Sequence, residues 1–223
     1  MRCLVKPKTA GRTRKSTTNS IRRATRQGCR GVAFRVKKVT RNSEMEFHLE
    51  PTASLLSVFP GTLNALLRDL PGALVLQREG ENTMNVFEVV GHLIKAERVN
   101  WMPRVRFLLE FGETRTFEPF DRLPPDSEGK ALGQLLDEFA RLRVESLSAL
   151  RALRLSPEDF EKRGAHPTFG AVTLSELLAA WATHDLTHLH QISRVLAYQY
   201  RDAVGPFRRF LGVLQCDGHS AAA

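Results

Sequence analysis

Apolar residues in this chain recur at three- and four-residue spacing in four long runs, and that periodicity restricts the fold to packed helices. The first run, residues 52–70, sets Leu55, Leu56, Phe59, Leu63, Leu66 and Leu67 on one side. Pro60 and Gly61 are expected to kink or split it, and Pro71 with Gly72 to end it. The second run starts at Asn85, where Glu88 three residues on completes a capping-box variant. It is expected to reach about Leu109, with a bend at Pro103. Residues 111–128 hold three prolines and read as a connecting loop. The third run, about Gly129 to Leu153, carries Leu132, Leu135, Leu136, Phe139, Leu142, Leu147 and Leu150 as its stripe, the acids and arginines between them forming a solvated face. Residues 156–160 read as an N-capped single turn and residues 163–172 as a Gly/Pro loop. The fourth run opens at Thr173, with Glu176 as a second capping box, and continues to about Tyr200. Gly205 and Pro206 break it, and a short terminal helix follows. With no credible strand run, the pattern predicts an all-α, four-helix bundle.

A chain of 223 residues with 42% hydrophobic content supports one sizeable core. No apolar stretch approaches the roughly 20 residues that span a bilayer, so a soluble protein without a membrane partner is expected. Cys3, Cys29 and Cys216 are widely spaced and odd in number, which argues against a disulfide framework and for a cytoplasmic setting.

The net charge of +9 is unevenly spread. Residues 1–43 hold 14 of the 33 Lys and Arg and no acid, leaving 19 basic residues to face all 24 acidic ones in the remainder. Residues 1–44 therefore read as a basic extension too poor in large apolar side chains to offset its ordering entropy, and disorder is expected there. Such an arm could bind nucleic-acid phosphates or mimic a transit peptide. The abrupt change of composition beside Met45 instead favours Met45 as the true start, with the upstream stretch an artefact of the gene model. Within the arm only Phe34 is available to stack on a base, which argues against the arm as a nucleic-acid binder, and no nucleic-acid partner is expected elsewhere. Residues 45–216 then form the bundle and residues 217–223 a flexible tail.

The stretch ATHDLTHLHQI, residues 182–192, carries three histidines within an otherwise apolar helical run. His184 and His188 are four apart, which stacks two imidazoles on one helix face at a spacing that grips a metal ion. His190 lies about 240° round the helix from His184 and points elsewhere. A third ligand has to come from another helix, and His92 is the candidate because it interrupts the apolar face of the second run beside Gly91. Three neutral imidazoles with open positions suit Lewis-acid catalysis and accept Zn, Ni or Fe. The competing reading makes each histidine a hydrogen-bonded core residue. Glu97 is either a ligand, a support for one, or a carboxylate on a solvated face, the last being favoured. Asp185 either orients a histidine or faces water. Trp101 and Trp181 either wall a cavity or are plain core. His166 either lines the pocket or serves a turn, and Cys216 has no neighbouring base that would make it a nucleophile.

The segments NVFEVVGHLIKAERVNWMPRVRFLL, LLDEFARLRVESLSAL and AHPTFGAVTLSELLAAWATHDLTHLHQISRVLAYQYRDAVGPFRRFL together resemble the DinB/YfiT-like family over about residues 48–214. The resemblance implies an up-down-down-up bundle with a metal held by His92, His184 and His188. It also implies an enzyme acting on a small-molecule substrate, either a thiol-dependent S-transferase using a low-molecular-weight thiol such as bacillithiol or mycothiol, or a metal-dependent hydrolase. A non-catalytic metal- or ligand-binding bundle of the stress-response kind is the remaining alternative, and homodimerisation is expected. Deleting residues 1–44 should leave helical circular dichroism and metal content unchanged; an insoluble or metal-free product would contradict the reading of that segment as an appendage.

Overall fold

The structure, a computed structural model, describes residues 47–121 and 129–216. The expectations for residues 1–44 and 217–223 lie outside these. The helices are α1 (Leu49–Leu67), a single turn α2 (Gly72–Val75), α3 (Val86–Val99), α4 (Trp101–Phe111), α5 (Leu132–Ala152) and α6 (Leu174–Tyr198). Asn85 accepts from the Glu88 amide at 2.9 Å while Glu88 accepts from the Asn85 amide at 2.9 Å, so the capping box that starts α3 is closed from both sides. Thr173 and Glu176 do the same for α6, the helix that carries two of the three candidate ligands.

Two apolar layers fill the bundle. One joins Phe59, Leu63 and Leu67 of α1 to Val86–Ile94 of α3, Leu135–Phe139 of α5, and Ile192 and Val195 of α6. The other joins Leu56, Ala96, Met102–Leu108, Leu147, Leu150 and Leu174–Ala182. Following each chain segment from layer to layer gives the direction of its helix. Helix α3 with its continuation α4 runs parallel to α5, and both run antiparallel to α1 and α6. The topology is up-down-down-up. Arg143, Asp185 and His188 fall between the two layers along α5 and α6, and Glu97 follows Ala96 where α3 enters the second layer.

Several local expectations are corrected. Pro60 does not split α1, which continues from Leu49 to Leu67. A proline in mid-helix leaves the carbonyl four residues back without its amide partner, and here Arg143 Nη1 donates to Leu56 O at 2.9 Å in its place. The second run is interrupted at Asn100 (φ −105°, ψ −64°), three residues before the proline expected to bend it. Pro103 thereby falls in the first turn of α4, where a missing amide costs nothing.

Residues 163–172 are a hairpin rather than a loop. Strand β1 (Arg163–His166) pairs antiparallel with β2 (Gly170–Thr173), and Ala165 also bridges to Thr116. Four-residue strands are too short to show a two-residue alternation. Gly164 lets β1 lie directly on Leu108 and Phe117, since a Cβ there would stand 3.0 Å from both side chains. Gly170, at φ +74°, closes the turn. The expected terminal helix is two 3-10 turns, Gly205–Phe210 and Gly212–Leu214. Among the described residues no helix is long and apolar enough to cross a membrane.

Candidate metal centre

His92 on α3 and His184 and His188 on α6 meet between the helices. His184 Nε2 stands 3.2 Å from His92 Nε2 and 3.1 Å from His188 Nε2, so three imidazole nitrogens converge on one point. Two nitrogens bound to one ion at about 2.0–2.1 Å would stand about 2.9 Å apart at right angles and about 3.3–3.4 Å apart at tetrahedral angles. The observed spacings lie within that interval, and the donor set fits a divalent ion such as Zn, Ni or Fe.

His92 and His188 are buried and His184 is half-buried, which leaves the cluster approachable from the His184 side. Gln191, one turn beyond His188 on α6, places Oε1 2.8 Å from His188 Nδ1. An amide oxygen only accepts, so Nδ1 carries the hydrogen and the Nε2 lone pair is free to point into the cluster. Burial, reinforced by the neighbouring His92, lowers the His188 pKa to about 4 and keeps the ring neutral, the form that ligates. Aromatic rings form the surround. Phe120 packs edge-on to His92 at 5.6 Å and Trp101 edge-on to His184 at 5.1 Å. His190 is exposed, as its angular position requires.

The two carboxylates beside the histidines go elsewhere. Glu97 is not part of the histidine group and does not lie on a solvated face, and Asp185 is shut off from water and hydrogen-bonds to Arg143. Both are buried, and both are held by Arg143 of α5. Glu97 Oε1 accepts from Arg143 Nε at 2.9 Å and Nη2 at 2.6 Å, and from Trp181 Nε1 at 2.9 Å. Asp185 accepts from Arg143 Nη1 at 2.6 Å and Nη2 at 3.1 Å. Burial pushes the Asp185 carboxyl up to about 6 against the pull of Arg143. Arg143 itself, despite its own burial, is held above its ordinary pKa by the hydrogen bonds and charges of the two acids.

Trp181 is fully buried and stacks on Trp101, with ring centroids 5.8 Å apart and planes 9° from parallel, so it joins the network to the wall of the histidine cluster. His166 ends β1, at the entry to the hairpin turn. Thr168 N donates to its Nδ1 at 3.1 Å, Arg104 Nη1 lies 3.2 Å from its Nε2, and its ring stacks on Phe169 at 4.6 Å, contacts that belong to a turn residue. Cys216 is exposed.

Arg143 and Gln191 escaped the sequence reading, although each left a signal. Arg143 occupies the stripe position between Phe139 and Leu147, where an arginine on a solvated face does not belong. Gln191 lies three residues after His188, on the same helix face.

Replacing Gln191 with Ala should weaken metal binding about tenfold, measured by chelator competition, by freeing the His188 ring; an unchanged affinity would show that Gln191 does not hold it. The metal-free protein should also lose stability on acidification. His188 has a pKa of about 4 when folded and an ordinary value of 6.5, so the unfolded chain binds the proton first. This contribution is complete above about pH 6.5 and is lost as the pH falls toward 4, by up to about 3 kcal/mol. Urea midpoints across that range measure it, and a His188→Asn variant should show a flatter slope.

The DinB superfamily sequence profile matches residues 56–192, more than half of the chain. Among solved structures, YfiT from Bacillus subtilis, described as a probable metal-dependent hydrolase with an unusual four-helix bundle topology, superposes with a TM-score of 0.60 at 20% identity. The match covers 75% of this chain and 94% of YfiT. No curated protein matches the chain. With the profile covering α1 through most of α6 and a bundle of the same kind, the chain belongs to the DinB superfamily.

Proposed function

We propose that the chain is a metal-dependent enzyme in which His92, His184 and His188 hold a divalent ion that activates a low-molecular-weight thiol for transfer to a small electrophilic substrate. The observation that carries this reading is the convergence of three Nε2 atoms, those of the buried His92 and His188 standing 3.2 and 3.1 Å from that of His184. An ion so held supplies a Lewis acid that lowers the pKa of a thiol or water at its open positions.

The chain's own groups favour a thiol over water. Glu97 and Asp185, the buried carboxylates of α3 and α6, are both paired with Arg143 in the interior rather than offered as bases to an attacking water. A thiol deprotonates on a metal outright and needs no such base. Phe120 and Trp101 give the cluster an apolar surround suited to holding the carbon and sulfur of such reactants. Gln191 keeps His188 in the tautomer that presents Nε2.

Hydrolysis is the second reading, supported by the description of YfiT as a probable metal-dependent hydrolase. A cytoplasmic setting and a homodimer belong to the same proposal. The test loads the protein with Zn, Ni or Fe(II) in turn and follows loss of an alkyl halide or epoxide with and without bacillithiol or mycothiol. Turnover that requires both metal and thiol is the expected result. Turnover with metal alone would assign a hydrolase, and tight metal binding without turnover would leave a non-catalytic bundle.

A further inference from the structure

Arg143 is fully buried, and all five of its N–H donors are used: Nε and Nη2 reach Glu97, Nη1 and Nη2 reach Asp185, and Nη1 reaches Leu56 O. These partners lie on α3, α6 and α1, so one guanidinium on α5 joins the four long helices of the bundle. Two of the partners share helices with the candidate ligands. Glu97 follows His92 by five residues, about 7.5 Å along α3, and Asp185 sits beside His184 and three residues before His188 on α6. Asp185 and His188 differ by about 60° in direction round the helix, so fixing one fixes the other. A planar fork that binds two carboxylates sets distance and angle together, which a single point charge does not.

We propose that Arg143 is the positioning residue of the three-histidine centre, fixing the axial register and rotation of α6 against α3 through Asp185 and Glu97. It thereby brings the three Nε2 atoms together before an ion arrives. Metal–nitrogen bonds tolerate displacements of only about 0.2 Å, so a slip of one helix past the other lowers affinity long before it unfolds the bundle. The inference rests on the reading that these histidines hold a metal.

The test uses the full chain and measures Zn affinity by chelator competition at a temperature where far-ultraviolet circular dichroism shows wild type and variants folded. Arg143→Lys keeps the positive charge and removes the fork, and should bind Zn about 10- to 100-fold more weakly. The visible spectrum of the Co(II)-loaded variant should change in intensity, reporting a different coordination geometry. Asp185→Asn retains the shape but gives up one acceptor, and should weaken binding in the same direction where Arg143→Lys does not fold. Lowered thermal stability with wild-type Zn affinity and an unchanged Co(II) spectrum would make Arg143 a purely structural residue and overturn the proposal, leaving the metal centre standing. A wild-type chain that binds no Zn, Ni or Fe would overturn the metal reading itself, and this inference with it.

Discussion

The bundle depends on how one buried cation is satisfied. A guanidinium in an apolar interior is tolerated only when its donors are paired with good geometry, and removing one partner of a buried pair costs about 3–5 kcal/mol because a charge is left uncompensated. Arg143 meets that requirement with two carboxylates and one backbone carbonyl, each from a different helix. The carbonyl is available because Pro60 has no amide to give it, so the proline inside α1 and the arginine inside α5 answer each other's defect. Trp181 adds a donor to Glu97 and leans on Trp101, which touches His184, and the polar layer is thus continuous with the histidine cluster.

This arrangement separates two tasks that acidic residues near a metal commonly share. The acids here hold the scaffold, and the imidazoles alone form the cluster. The result is a cluster of three imidazoles, with Gln191 rather than a carboxylate behind His188. Such a donor set leaves more positive charge on an ion than a mixed imidazole and carboxylate set does, which suits activation of a nucleophile that has to lose a proton.

Much of this was legible in the sequence because it follows from short-range spacing. The i, i+4 histidine pair, the interruption of an apolar face by His92, and the Asn85–Glu88 and Thr173–Glu176 caps each depend on a few consecutive residues in a helix. The ion network was not, because it depends on residues from separate runs being brought together. Glu97, Arg143 and Asp185 each occupy a stripe position that would otherwise hold an apolar side chain, and only opposite charges on three such stripes make burial acceptable. The hairpin at 163–173 was hidden for another reason: it is ordered by Gly164 lying on Leu108 and Phe117, a tertiary contact with no periodic trace. The break at Asn100 likewise reflects the demand of Pro103 for a place in a first turn, which shifted the interruption upstream of the proline itself.

The most direct measurement is metal content by plasma mass spectrometry on protein purified without an affinity tag, comparing the native chain with a His92→Ala, His184→Ala double variant. A three-histidine centre requires close to one equivalent of Zn, Ni or Fe in the native chain and little in the variant, with helical circular dichroism similar in both. A native chain that holds no metal even after reconstitution, or a variant that retains a full equivalent, would contradict it.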